Sequence, residues 1–199
     1  MTATTGVPPC SILLLAGGRG QRVAGQDKGL LDWCGAPLVA HLHAQVRTLT
    51  DDLIVSCNRN QVAYAQYADR VVGDPCGDFP GPLAGILAGL EVARHSLLLV
   101  LPCDVPRVDA QLLHHMRQAQ SRHPSQPLMI RQGEHWEPLL CIIPLASSTA
   151  FQHAWETGER SPRKIMLALG ATALECVDND PRLANFNTPQ MFAAHPPPG

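Results

Sequence analysis

Residues 15–28 read Leu-Ala-Gly-Gly-Arg-Gly-Gln-Arg-Val-Ala-Gly-Gln-Asp-Lys and follow the apolar run Ile12-Leu13-Leu14-Leu15. Gly17, Gly18, Gly20 and Gly25 fall in this loop, with Arg19, Arg22 and Lys28 among them. Glycines, lacking Cβ atoms, let backbone N–H groups close on an anion. The cations then neutralise what the backbone cradles. A buried strand emptying into such a loop reads as a phosphate-binding device. Lys28 and Lys164 are the only lysines in the chain, so a lysine here points to phosphate binding rather than surface filling. The bland alternative is a glycine-rich surface loop with solvated charges. The two common phosphate motifs are excluded. Gly20 and Gly25 have the Walker A spacing, but Gln26-Asp27 follow them in place of Lys-Ser/Thr, and Val23 replaces the third glycine of a dinucleotide fingerprint.

A second apolar run, Leu97 to Leu101, empties into Pro102-Cys103-Asp104-Val105-Pro106. A carboxylate at a strand end opposite a phosphate loop is where a Mg²⁺ bridging phosphate oxygens is held. An aspartate two residues before a proline, as here before Pro106, is also a turn or helix-capping residue, and the residues alone leave both readings of Asp104 open. Asp74, in Val72-Gly73-Asp74-Pro75, reads first as a turn carboxylate. Pro80-Gly81-Pro82-Leu83-Ala84-Gly85 opens a helix with exposed backbone donors.

These segments need a scaffold that brings them together. Apolar runs at 12–15, 53–57, 71–72, 97–101, 128–130, 139–143 and 174–177 read as strands. Amphipathic segments at 38–49, 61–67, 83–94, 110–120, 145–157, 162–169 and 189–193 read as helices. Asp109, Ser161 and Thr188 are natural N-caps, the last two before a proline at the first helical position. Continuous apolar strands alternating with helices predict a parallel sheet covered on both faces, a three-layer αβα arrangement. Ligands bind such sheets beyond the carboxyl ends of the strands, where the glycine loop, Ser56-Cys57-Asn58, Gly73-Asp74 and Asp104 should converge. Residues 128–143, interrupted by Gln132-Gly133-Glu134-His135, suggest a hairpin, so the sheet is expected to be mixed but mostly parallel.

The chain has 199 residues, 45% of them hydrophobic and 16% charged, which suits one globular domain over residues 1–194 with a disordered tail at 195–199. A net charge of −2 argues against nucleic acid or an anionic membrane as partner. Seven cysteines without a Cys-x-x-Cys pair fit reduced thiols rather than a disulfide framework or structural zinc site. Cys57, Cys103 and Cys141 read as small core residues. The nine histidines lack metal-binding spacing and read as scattered surface residues. Met1 to Pro9 does not read as a secretory leader, and no apolar run is long enough to span a bilayer, so a cytoplasmic protein is expected.

The first loop resembles that of the nucleotidyltransferases that activate sugars and cofactors, Leu-Ala-Gly-Gly-x-x-x-Arg-Met-Gly-x-x-Lys, and in particular that of the molybdenum cofactor guanylyltransferases. Their Asp-Lys-Gly-Leu-Leu stands here at 27–31, Pro-Gly-Pro-Leu-Ala-Gly at 80–85, Pro-Cys-Asp-x-Pro at 102–106 and Asn-x-Asn-Thr-Pro at 185–189. The resemblance implies an α/β, Rossmann-like nucleotidyltransferase fold that transfers GMP from GTP to the terminal phosphate of molybdopterin and releases pyrophosphate. It implies Mg²⁺ on Asp104, with Lys28 and Arg22 on the triphosphate. It places Leu15, Ala16, Gly17, Gly18, Ser56, Asp74 and Gly81 at the nucleotide. Asn185, Asn187 and the segment Arg160 to Lys164 are the candidates for the acceptor. Transient contact with molybdenum-cofactor biosynthesis proteins and apo-molybdoenzymes is also implied.

The related cytidylyltransferases carry Leu-Ala-Ala-Gly in the first loop. Gly17 leaves room for a purine edge, a discrimination of about 1–3 kcal/mol. Two positions depart from the family pattern. Val23-Ala24 replaces Met-Gly, and Ser56 stands where the family has an asparagine, with Asn58 two residues on and directed to the same side. The competing readings are a cytidylyl or sugar-phosphate nucleotidyltransferase of the same fold, and a non-catalytic GTP-binding regulator.

Overall fold

The computed structural model describes residues 7–16, 27–73 and 81–186. In chain order the elements are β1 (Ser11–Leu15), β2 (Asp32–Trp33), β3 (Ala36–Pro37), α1 (Leu38–Val46), β4 (Leu53–Ser56), α2 (Gln61–Ala65), β5 (Arg70–Val72), α3 (Pro82–Val92), β6 (Leu97–Pro102), α4 (Ala110–Arg122), β7 (Leu128–Gln132), β8 (His135–Pro144), α5 (Ser148–Glu156), α6 (Pro162–Ala168) and β9 (Thr172–Cys176). Seven strands form one sheet in the order β5-β4-β1-β6-β8-β7-β9, and β2 and β3 pair separately. β5, β4, β1 and β6 run parallel. Only β8 reverses, antiparallel to both β6 and β7, and β9 lies parallel to β7.

Side-chain alternation explains why these strands are apolar throughout. Ile12 and Leu14 of β1, with Leu97, Leu99 and Leu101 of β6, face a core closed by α1 and α4. Leu13 and Leu15, with Leu98 and Val100, face the opposite core, closed by α3, α5 and α6. A strand buried on both faces has no polar side to show. The mixed, mostly parallel three-layer sheet is the expected one.

Local signals set several boundaries. The Asp109 carboxylate accepts the Leu112 amide at 2.7 Å and starts α4, and Ser161 caps α6 before Pro162. The segment read as one helix over 38–49 is α1 followed by a 3-10 turn, Arg47–Leu49. The helix read at 145–157 likewise opens with a 3-10 turn, Leu145–Ser147. α2 ends two residues before the expected 67. The helix expected over 189–193 and the tail 195–199 lie outside the described residues. Among the described residues no helix is long and apolar enough to cross a membrane.

Candidate active site

From β1 the chain steps outward to β4 and β5, then returns to place β6 on the other side of β1. Such a switch point opens a crevice at the carboxyl ends of the two strands. Three backbone bonds build it. The Ala16 amide donates to the Ser56 carbonyl at 2.8 Å, the Cys103 amide to the Leu15 carbonyl at 3.0 Å, and the Phe186 amide to the Asp104 carbonyl at 2.7 Å. The ends of β1, β4 and β6 and the segment before residue 187 are thereby tied together.

A cleft of about 370 Å³ lies there. It is lined by Leu15 and Ala16, Lys28 and Gly29, Pro82, residues 102–105, residues 137–140 and Asn185. Its volume is in the usual range for small-molecule sites. Of the residues singled out from the sequence, Leu15, Ala16, Lys28, Asp104 and Asn185 meet in this one cleft. Gly81 caps α3 beside Pro82 with φ +98°, a backbone state that favours glycine. Ser56 lies apart. It is buried, and its hydroxyl packs under Gly85 of α3 rather than lining the cleft. Its contribution to the site is the carbonyl that fixes Ala16. Arg160 and Lys164 also stay outside the cleft lining. Arg160 stacks on Trp155 at 3.9 Å and Lys164 pairs with Glu159 at 3.5 Å, so both brace the α5–α6 connection. Gly17, Gly18, Arg22, Asp74 and Asn187 lie outside the described residues.

At the centre of the cleft, Lys28 Nζ donates to Asp104 Oδ2 at 2.5 Å. The other oxygen, Asp104 Oδ1, is buried and has no hydrogen-bond partner among the described residues. Leaving a buried carboxylate oxygen unmatched is costly. A hard cation with oxygen ligands would satisfy it, so the residues present fit a divalent metal at Asp104. No cluster of three or more His, Cys, Asp or Glu suited to a metal occurs among the described residues. The histidines read as scattered surface residues include one with a partner in the fold, since His41 Nε2 lies 2.7 Å from the Trp33 carbonyl.

The residues flanking Lys28 are pinned as well. Asp27 accepts from the Tyr64 hydroxyl at 2.5 Å and from Asn60 Nδ2 at 3.1 Å. A methyl at Gly29 would stand 2.5 Å from the Tyr64 hydroxyl and 3.3 Å from Cys103 Cβ. Burial, with the nearby Cys103 and Asp27 adding to it, raises the Tyr64 hydroxyl far above its ordinary value, so it keeps its proton and donates. Burial likewise pushes the Cys103 thiol up, and the Asp104 carboxylate adds to this. It is a protonated core residue, not a nucleophile.

Sequence reasoning missed the wall opposite Lys28. β7 and β8 pair as Met129↔Cys141 and then Ile130↔Glu137, so residues 138–140 bulge out of the ladder. The pairing of β6 with β8 stops at Val100↔Cys141, where the bulge begins. The two strands part there, and residues 137–140 turn into the cleft. Pro138, which has no N–H to give to a ladder, was the available signal.

A three-layer α/β fold with a Lys–Asp pair at its switch point, and a glycine-rich segment following β1 in the sequence, defines a Rossmann-like α/β nucleotidyltransferase. Residues 12–173 match the model of the MobA-like NTP transferase domain. The chain is 64% identical over 195 residues to a molybdenum cofactor guanylyltransferase of Pseudomonas fluorescens, covering 98% of each chain. It is 63% identical to one from Pseudomonas aeruginosa, covering 95% of this chain and 96% of that one. Among solved structures, molybdopterin-guanine dinucleotide biosynthesis protein A from Archaeoglobus fulgidus shares the fold with a TM-score of 0.73 at 20% identity, over 92% of this chain and 95% of that one. The chain belongs to the MobA-like NTP transferase family and, within it, to the molybdenum cofactor guanylyltransferases.

Proposed function

We propose that this protein transfers GMP from GTP to the terminal phosphate of molybdopterin, with residues 1–194 acting as one unit. The observation that carries the reading is the Lys28–Asp104 pair across the β1–β6 crevice, in a chain nearly two-thirds identical to named guanylyltransferases. A phosphate oxygen of the acceptor attacks the α-phosphorus of GTP, and the bond to pyrophosphate breaks. The attacking phosphate is largely dianionic near neutral pH, since its second pKa is about 6. No general base is needed, and the protonated Cys103 does not supply one.

Catalysis then rests on alignment and charge. Lys28 and Arg22 neutralise the triphosphate, and the backbone at Leu15, Ala16, Gly17 and Gly18 cradles the nucleotide. Asp74 and Gly81 complete the nucleotide side, and Asn185 and Asn187 hold the acceptor. Asp104 would hold a divalent cation, Mg²⁺ in our reading, which supplies charge neutralisation to phosphate oxygens. The protein works in the cytoplasm and meets molybdenum-cofactor biosynthesis proteins and apo-molybdoenzymes transiently.

Pyrophosphate release with molybdopterin and Mg²⁺, comparing GTP with CTP, tests this reading. GTP-dependent release is expected. Asp104→Ala should lower kcat by roughly 10²–10³-fold, the scale for removing one electrostatic stabiliser. A preference for CTP would move the protein to the cytidylyl chemistry. GTP binding without release would make it a regulator.

A further inference from the structure

Among the described residues, Glu137 is the acidic residue lining the cleft besides Asp104, on the far wall in β8, and it also borders a neighbouring cavity with Gln132 and Asp178. β6 separates β8 from β1, which the glycine-rich residues 17–25 follow in the sequence. A carboxylate there repels a triphosphate and attracts N–H donors. Its orientation is held by neighbours. Gln132 Nε2 donates to Glu137 Oε1 at 2.9 Å, and Gln132 Oε1 accepts the Asp180 amide at 3.0 Å. Because that amide can only donate, it fixes which end of Gln132 faces Glu137. Asp180 is itself buried and clamped by Arg182, whose Nη2 donates to it at 2.6 Å. Gln132 uses one of the roughly four acceptor positions of the carboxylate. The bulge at residues 138–140 carries the wall next to Glu137 out of the ladder and into the cleft.

Resting on the guanylyltransferase reading, we infer that Glu137 reads the donor edge of a 2-amino-4-oxopyrimidine ring, with Gln132 as its positioning residue. That edge offers a ring N–H and an exocyclic NH₂ side by side, matched to two carboxylate oxygens. Guanine and pterin both carry it. The place of Glu137 on β8, two strands from β1, assigns it to the pterin of the acceptor.

The test is steady-state kinetics of Glu137→Gln and Gln132→Ala, varying molybdopterin and GTP separately. Glu137→Gln puts an amide NH₂ where an acceptor is needed. It should raise the KM for molybdopterin at least tenfold, leaving the KM for GTP and kcat within about twofold. Gln132→Ala should give a smaller rise of the same kind, which a purely structural role would not confine to one substrate. Should Glu137→Gln not fold, Glu137→Asp, which keeps the charge but withdraws it, should show the same split. An unchanged molybdopterin KM overturns the inference. A rise confined to GTP overturns it too, moving the carboxylate to guanine. Wild-type protein inactive with GTP and molybdopterin would instead overturn the guanylyltransferase reading itself.

Discussion

Lys28 was conspicuous in the sequence, but the residues that hold its neighbourhood were not. Tyr64 sits in the segment read only as a helix over 61–67, yet its hydroxyl reaches Asp27 across 37 residues of chain. The same hydroxyl leaves no room for a side chain at position 29. Tyr64→Phe keeps the ring and its packing while removing the donor to Asp27. We expect kcat/KM for GTP to fall about tenfold, matching the roughly 1–3 kcal/mol cost of stranding a hydrogen-bonded group. Paired GTP kinetics and thermal melts of the two proteins would measure this. Unaltered kinetics with a lowered melting temperature would reduce Tyr64 to a core residue. Asp27→Asn should weaken the same bond and show a smaller effect in the same direction.

At the scale of elements, α3 decides how tightly the crevice is built. A Cβ at Gly85 would lie 2.7 Å from the Ser56 hydroxyl and 2.9 Å from Leu15 Cδ2, both in the packed core. Gly89 is pressed as closely against Leu13. These glycines let the helix settle on β1 and β4, and with it the Gly81-Pro82 start that borders the cleft. Alanine gains about 1 kcal/mol in helix preference. In this contact it should nonetheless destabilise, by about 1–3 kcal/mol, because overpacking a filled core costs that much. Urea unfolding of Gly85→Ala should show a lower midpoint with an unchanged slope. A midpoint at or above wild type would mean that α3 has room to move. The β8 bulge is the other decisive element, and only Pro138 hinted at it.

For the molecule as a whole, the site and the stabilising polar network sit at opposite ends of the parallel strands, the site at their carboxyl ends and the network at their amino ends. Asp52, fully buried just before β4, accepts from the Ser11 hydroxyl at 2.5 Å, the Arg94 amide at 2.9 Å and the Arg70 guanidinium. Burial alone would raise its carboxyl, but these donors outweigh it and hold it below its ordinary value. A depressed folded-state pKa contributes stability above the unfolded value of about 3.9, and that contribution is lost as pH falls through the folded value. Asp52→Asn should therefore cost about 3–5 kcal/mol at pH 7. The gap to wild type should narrow below about pH 4, with turnover per folded molecule unchanged. Urea titrations at both pH values would measure it, and a gap independent of pH would remove Asp52 from the acid response. By itself the sequence determined the layered α/β class, most strand positions and the caps at Asp109 and Ser161, and it singled out the glycine-rich segment, Lys28 and Asp104 as candidates. These follow from side-chain period, backbone preference and spacing, which act within a few residues. Only the tertiary structure joined Lys28 to Asp104 across 76 residues, placed Ser56 under α3 and set Glu137 in the cleft wall. Such contacts depend on strand order and register, and slipping a strand by one residue sends each of its side chains to the opposite face.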